Sequence, residues 1–369
     1  MKFIVERDVL LKPLQVVQGV VERRQTLPIL SNLLLTLQDG KLSVTGTDME
    51  VELVAHAELS DSSDGEITIP ARKFVDICRA LPDSAKIDFT LNENRVVIRS
   101  GRSRFSLATL PAADYPSTDA IADATVLQVG QAALKTLFDL TQFAMAHQDV
   151  RYYLNGLLLE IGEDNLRAIA TDGHRLAMAE CPLAAGFDGE PRQIIVPRKA
   201  VLELSRLLSN DDSMLELEVG ANAVRARLGD TQLTSKLIDG RFPDYDRVIP
   251  DLEQCDKIIS IGREVLRQSL ARASILSNEK YRAIRLNLDK GLLKILANNP
   301  DQEEAEDELE IEYDGEPMEI GFNVSYLLDA LAVLPSDVAR VHLTDASSSC
   351  LIRCEDREDC QYVVMPMRL

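Results

Sequence analysis

The sequence predicts an α+β protein built from three copies of one unit, each with two helices packed on antiparallel sheets. Three observations carry this. A chain of 369 residues exceeds one typical domain and suits two or three. A helix–hairpin–strand–helix layout recurs three times along it. The strands are short and joined by tight turns, without the long crossovers of a parallel doubly wound sheet. The units are expected at 1–124, 125–250 and 251–369.

Each unit opens on a helical stretch: "RDVLLKPLQVVQGVV" from Arg7, "GQAALKTLFDLTQFAM" from Gly130 and "GREVLRQSLARASIL" from Gly262. Pro13 removes a hydrogen bond from the first of these unless it lies in the opening turn. Strand pairs follow, "NLLLTLQDGKLSVTGTD", "GLLLEIGEDNLRAIATD" and "IRLNLDKGLLKILANN". Asp39–Gly40 in the first pair is a strong hairpin signal. Next come a strand and a second helix, in "ITIPARKFVDICRALP", "IIVPRKAVLELSRLL" and "EIGFNVSYLLDALAVLP". Phe74, Ile77, Cys78 and Leu81 have the i, i+3, i+4, i+7 spacing of a half-buried helix. The same stripe recurs at Val201, Leu204, Ser205 and Leu208, and at Leu327, Ala330, Leu331 and Leu334, with Ser205 its polar exception. Further strands close the units at "FSLATLPAADYP", "LTSKLIDGRFPDY" and "YVVMPMRL".

Apolar content of 46% and charged content of 27% are those of a globular protein. Glu6, Arg7 and Asp8 interrupt the start, which therefore lacks the apolar core of a signal peptide. No apolar run approaches the ~18 residues of a membrane span. A cytoplasmic protein without a membrane partner is expected. Cys78, Cys181, Cys255, Cys350, Cys354 and Cys360 form no C-x-x-C pair, so neither zinc nor any other cofactor is expected. Reduced thiols are expected throughout, although Cys354 and Cys360, at the ends of the charged "CEDREDC", could pair under oxidation.

A net charge of −20 argues against a nucleic-acid partner until its distribution is considered. Segments 7–24, 71–81, 197–208 and 263–274 each carry +2, segment 131–146 is neutral and 323–334 carries −1. The expected helices thus sum to +7, leaving −27 for strands and loops. Basic helices in an acidic protein suit a polyanion held against the helices and kept off everything else. Solvated helix faces would account for any one of these helices equally well.

Several long strings in register sharpen the choice: "TLPILSN", "SGRSRFSLATLPAADYP", "MAHQDVRYYLNG", "ATDGHRLA", "DGRFPDY", "ILSNEK", "ANNPDQEEAE" and "YVVMPMRL". Along its whole length the chain resembles the bacterial DNA polymerase sliding-clamp family, the β subunits of polymerase III. The resemblance implies three clamp domains per chain and a head-to-tail homodimer forming a six-domain ring, with helices lining the hole. It implies double-stranded DNA bound without regard to sequence. Arg24, Gln148, Tyr152 and Tyr153 look like family DNA contacts, with Arg72, Arg198 and Lys199 as phosphate partners. The dimer interface would set Lys73, Arg102, Arg104, Phe105 and Leu107 against Ile275, Leu276, Glu303 and Glu304, the glutamates standing in the acidic run "DQEEAEDELEIE".

The resemblance also implies a cleft for short linear peptides. These would come from the polymerase III catalytic subunit, an ATP-dependent clamp loader, other DNA polymerases, mismatch-repair proteins and ligase. Its deep pocket would use Leu154, Thr171, Gly173, His174, Arg175, Leu176, Pro243, Val248, Val363 and Met365. A shallower groove would use Arg151, Tyr153, Asn323, Tyr326, Ser349, Pro366, Met367 and Arg368. Methionines suit a site that receives many partners, and Arg175 and Arg368 could offer charge-assisted bonds to a peptide.

Two other classes compete. A hydrolase would use Asp172 and His174 of "TDGHR" as an acid–base pair, but no nucleophile or phosphate-binding motif accompanies them. Thr171–Asp172 also aligns with Thr47–Asp48, which marks a repeated turn. A scaffold without a DNA role would leave the basic helices merely solvated.

Overall fold

The computed structural model describes residues 1–22, 27–116, 118, 121–122, 124–183, 186–187 and 189–368. One series of elements runs through each third of the chain. The first third holds β1 (Lys2–Glu6), α1 (Arg7–Val17), β2 (Asn32–Gln38), β3 (Lys41–Thr47), β4 (Val51–Glu58), β5 (Asp61–Ser63), β6 (Gly65–Pro70), α2 (Ala71–Ala80), β7 (Lys86–Asn92), β8 (Arg95–Ser100) and β9 (Ser103–Ala108). The second holds β10 (Thr125–Gly130), α3 (Gln131–Thr141), β11 (Gly156–Ile161), β12 (Asn165–Thr171), β13 (Arg175–Pro182), β14 (Arg192–Pro197), α4 (Arg198–Leu207), β15 (Met214–Val219), β16 (Ala223–Leu228) and β17 (Thr231–Lys236). The third holds β18 (Lys257–Gly262), α5 (Arg263–Ala273), β19 (Ala283–Asp289), β20 (Leu292–Asn298), β21 (Glu304–Glu310), β22 (Met318–Asn323), α6 (Val324–Val333), β23 (Val338–Leu343), β24 (Cys350–Cys354) and β25 (Cys360–Val364). Apart from the short β5, the three series coincide element for element.

Packing divides these repeats between two compact units. The first is Met1–Ala132 with Leu202–Leu237, the second Ala133–Val201 with Ile238–Leu369. The second repeat is divided because its strands belong to two sheets. Strands β10, β15, β16 and β17 continue into β4, β3, β2 and β6, while β14, β11, β12 and β13 continue into β25, β24, β23 and β18. The joining pairs are antiparallel, β17 with β4 through Leu233↔Leu53 and β13 with β25 through Leu176↔Val363.

In the first unit a five-stranded sheet, β5-β1-β7-β8-β9, accompanies the eight-stranded one. Helix α1 packs on β3, β4 and α2, burying Leu10, Leu14 and Val17. Phe3 and Phe89 stack at 4.4 Å and Phe74 tilts onto Phe89 at 5.9 Å. Each such buried ring contributes about 1.5–3 kcal/mol. Pro13 lies inside α1, not in its opening turn. It is buried, and Val9, whose carbonyl would have been its partner, is 40% exposed on the outer side. Of the expected α2 stripe Phe74, Cys78 and Leu81 are buried; Ala71 and Val75 join them, and Ile77 is only half-buried. Asp39 and Gly40 have φ of 50° and 79°, the doubly left-handed turn that suits the twist of a tight hairpin.

The second unit pairs its eight-stranded sheet with a four-stranded one, β21-β20-β19-β22. Helix α5 packs on α6, β20 and β21. After β25 the chain follows β22, where the Met367 N–H donates to the Gly321 carbonyl at 2.8 Å. Among the described residues no helix is long and apolar enough to cross a membrane, and no group of three or more His, Cys, Asp or Glu side chains could hold a metal ion.

A buried Tyr115 ties the end of the first repeat to its sheet. Its hydroxyl accepts from the Thr47 N–H at 3.1 Å and lies 3.3 Å from the Thr45 carbonyl oxygen. Removing that oxygen leaves a buried amide unsatisfied, which costs about 1–3 kcal/mol. Tyr115→Phe should therefore lower the hydrogen-exchange protection of Thr47 and its neighbours on β3; unchanged protection would show that the bond contributes nothing.

Candidate functional site

The turn between β12 and β13 is built by its own side chains. Thr171 Oγ1 donates to the Arg175 carbonyl at 2.6 Å and accepts from the Gly173 N–H. Asp172 Oδ1 accepts the N–H groups of His174 and Arg175, and Oδ2 accepts Arg175 Nε at 3.0 Å. Side chains that mimic backbone turns in this way explain the Thr-Asp pair. Gly173 has φ +87°, a left-handed conformation that favours glycine, and a Cβ there would stand 2.7 Å from Arg151 Nη1 and displace that guanidinium.

Arg175 is the strut of the region. Besides Asp172 it reaches Asp329 through Nη1 and the Phe143 carbonyl through Nη2. Its guanidinium lies 4.8 Å from the Tyr326 ring centroid and 5.2 Å from that of Phe143. Three of its nitrogens are thus bonded to its own chain, and Arg175 offers an incoming peptide less than the sequence suggests. Arg151 is fixed likewise by a two-pronged pair with Asp149, at 3.0 and 2.8 Å. Those hydrogen bonds hold the Asp149 carboxyl down at about 2.

Between these arginines opens a cleft of about 170 Å³. Its floor is the rim of an apolar cluster that includes Leu154, Leu176, Tyr245 and Val363, with Tyr153 and Val248 packed against it. Thr171, Gly173, Pro243 and Met365 complete the walls. A small apolar cavity with few polar groups binds the apolar side chain of a ligand through desolvation. Asp244 and Tyr245 also line it; sequence reasoning named neither, although both stand in the quoted "DGRFPDY". The Tyr245 hydroxyl donates to Glu160 at 2.7 Å and accepts from Arg167. Burial, then the Glu160 bond, pushes this phenol up to about 12, so it stays neutral in the wall.

The structure brings nine of the ten expected deep-pocket residues together and leaves one aside. His174 is exposed and stacks on Tyr326 with centroids 6.2 Å apart, on the rim instead of in the deep wall. Its intended acid–base partner Asp172 is bonded into the turn. Of the shallower groove, Arg151 and Tyr153 line the deep cleft as well. Asn323 caps α6 through the Ser325 N–H, and Ser349 Oγ lies 3.0 Å from Met365 Sδ. Pro366 and Met367 are half-buried and Arg368 is exposed.

The first unit repeats this frame with other chemistry. Thr47 and Asp48 make the same turn bonds, and Met49 takes the place of Gly173 at φ 76°. Lys236 N–H donates to the Glu50 carbonyl as Met365 N–H does to that of His174. Strand pairing sets Thr234 opposite Glu52 where Val363 stands opposite Leu176. The resulting cavity, about 370 Å³, is lined by Glu50, Glu52, Thr118, Thr234 and Lys236. Burial raises the Glu52 carboxyl, opposed by a hydrogen bond from Thr118.

The charged candidates fall into separate groups. Gln148, with φ 56°, Tyr152 and Tyr153 share one loop, Tyr152 being 56% exposed and edge-on to Tyr153. Arg198 Nη1 donates to the Met145 carbonyl beside that loop. Lys199 is half-buried on α4, and Arg72 and Lys73 are exposed on the first turn of α2. Arg24 lies outside the described residues. Other helix cations are engaged within the chain: Arg7 with Asp83 and the Cys78 carbonyl, Arg206 with Glu203, Arg267 with Glu264 and Arg272 with Asp307.

At the interface candidates, Arg102 and Arg104 are exposed and Phe105 and Leu107 half-buried. Ile275 is 76% exposed beside the half-buried Leu276. Exposure alternates along β21, with Glu304 pointing outward and Glu303 held by Asn299 at 2.6 Å.

Family models of the DNA polymerase III beta subunit match the chain in three parts: the N-terminal domain over residues 1–119, the central domain over 128–244 and the C-terminal domain over 246–368. The beta sliding clamps of Pseudomonas putida and Escherichia coli are 52% and 53% identical to it, each over the full length of both chains. The crystal structure of the DNA polymerase III subunit beta from Pseudomonas aeruginosa, 51% identical, matches with a TM-score of 0.96 and complete coverage of both chains. The DNA polymerase sliding clamp from Caulobacter crescentus, 38% identical, matches at 0.94, also over all of both chains. The chain belongs to the family of DNA polymerase III beta subunits, the bacterial sliding clamps, which confer processivity on the replicative polymerase and are not enzymes.

Proposed function

We propose that two copies of this chain close head to tail into a ring of six domains, divided at 1–124, 125–250 and 251–369, and that duplex DNA runs through it in the cytoplasm. The observation that carries this reading is an unpaired junction. By position in the repeat β9 corresponds to β17 and β25, and β21 corresponds to β4 and β13. Strands β17 and β25 join β4 and β13 inside the chain, whereas β9 and β21 end their sheets. An edge left open is a template for another chain. Two different complementary edges give a heterologous contact that can close into a ring.

The chemistry of the two edges matches. Arg102 and Arg104 meet Glu303 and Glu304, while Phe105 and Leu107 cover Ile275 and Leu276, with Lys73 nearby. Arg72, Arg198, Lys199 and Gln148 then contact phosphates, and Tyr152 and Tyr153 stack on exposed bases at a primer junction. Phosphate contacts carry no sequence information, which a sliding partner requires.

The cleft at Thr171, Leu176, Val363 and Met365 receives short linear peptides. These come from the polymerase catalytic subunit, the ATP-dependent loader, other polymerases, mismatch-repair proteins and ligase. A few apolar anchors dominate such binding.

Arg104→Glu combined with Ile275→Ala should sediment as a monomer and lose retention on circular DNA after loading. An intact dimer would overturn the edge pairing. In the cleft, Met365→Lys installs the residue of the first-unit counterpart at a half-buried position. It should leave the dimer intact and weaken a fluorescent peptide from the polymerase catalytic subunit at least ~10-fold in anisotropy titrations. Unchanged affinity would remove Met365 from the site.

A further inference from the structure

The charged hairpin "CEDREDC" takes no part in ring, DNA or cleft. Its two ends are thiols on neighbouring strands, Cys354 closing β24 and Cys360 opening β25. The pairing Arg353↔Gln361 makes Cys354 and Cys360 the next opposed pair, and their Sγ atoms lie 3.6 Å apart. Both are buried, while Glu355, Asp356, Arg357 and Glu358 between them are exposed. The backbone on either side is held by further strands, β23 at Ala339↔Cys354 and β13 at Ala179↔Cys360. A disulfide needs its sulfurs about 2.05 Å apart, across Cα separations that opposed antiparallel residues already have. Closing this one calls for side-chain rotation only.

We infer that Cys354 and Cys360 form an oxidative modification site, a dithiol that a hydroperoxide converts into an intramolecular disulfide. Cys354 is assigned as the attacking sulfur: in the Sγ–Sγ hydrogen bond, a Cys360 donor favours the Cys354 thiolate, and Arg357 adds a smaller push, against burial and the carboxylates of Asp356 and Asp359. Cys360, as the donor, is held protonated. The Cys354 thiolate attacks the outer peroxide oxygen and the O–O bond breaks. The sulfur becomes a sulfenic acid, and the departing oxygen takes a proton to leave as an alcohol, or as water from hydrogen peroxide. Cys360 then attacks the Cys354 sulfur and displaces hydroxide, which leaves as water with the Cys360 proton. Two thiols lose two electrons and two protons, the peroxide is reduced, and a dithiol reductant reverses the change by exchange. A resolving thiol already in contact captures the sulfenic acid before further oxidation.

Trypsin reads the result directly, because Arg353 and Arg357 bracket Cys354. Residues 354–357 and 358–368 separate as two peptides unless a disulfide joins them. The full-length protein, treated with stoichiometric hydrogen peroxide and alkylated after unfolding, should give the joined pair, two fewer alkylated thiols per chain, and full recovery with dithiothreitol. Cys360→Ser should instead trap a Cys354 sulfenic acid with dimedone. Cys354→Ser should slow oxidation at Cys360 more than about tenfold, since the thiolate is the nucleophile. Separate peptides with both thiols intact, a sulfinic acid at Cys354, or any other pairing, including one to the half-buried Cys181, would overturn the assignment.

Discussion

An antiparallel strand at the edge of a sheet carries a row of unmet N–H and C=O groups, and each repeat of this chain creates such edges at both ends. Pairing of β17 with β4, and of β13 with β25, satisfies two of the three junctions within one polypeptide. Both eight-stranded sheets exist because of those pairs. So does the division of the second repeat between two compact units. The third junction has the same two strand types, β9 and β21, and among the described residues neither has a partner on its outer side. Two open and complementary edges thus follow from hydrogen-bond arithmetic applied to a threefold repeat, before any side chain is considered, and they suit the proposed ring.

The same junctions place the clefts. Wherever a last strand joins a receiving strand, its end crosses the Thr-Asp turn, and a cavity remains between turn, strand end and connector. In the second unit Leu176, Val363 and Met365 make that cavity apolar; in the first Glu52, Thr234 and Lys236 make it polar. Backbone geometry therefore supplies two candidate sites, and side chains select one for apolar ligands. Arg175 completes the selection. It pins the turn through Asp172 and lies against both Phe143 and Tyr326, where its counterpart Val51 can do neither.

Much of this was legible in the sequence, because repeats, hairpin signals and the aligned Thr-Asp pairs are local properties. The helix stripes of α4 and α6 are buried as their periodicity requires. That of α2 is buried at Phe74, Cys78 and Leu81 but only half-buried at Ile77, since Val75 and Ile77 are interchangeable in a pattern and only the packing against neighbouring elements decides between them. Strand pairing between repeats was not legible, as no local signal names the partner of β17 or β25. His174 was misplaced for a related reason: composition shows an imidazole next to a pocket turn, whereas the direction it points is set by Tyr326, more than a hundred residues away. Asp244 and Tyr245 could have been found from Tyr115 in "ADYP", the matching position of the first repeat.

Charge shows how far a sum can stand in for a surface. The helices carry +7 in sequence, yet Arg7, Arg206, Arg267 and Arg272 are bonded to carboxylates of their own chain. An arginine already paired releases few counterions from DNA and adds little to affinity. In the proposed complex an exposed cation such as Arg72 carries more of the interaction, against a chain of net −20. Such a surface attracts phosphate weakly and without register. For a protein that must stay on DNA and yet move along it, weak contact is an advantage, because each step along the duplex breaks and remakes those contacts. In the proposed ring, retention then rests on closure, and therefore on the β9–β21 junction, more than on any cation.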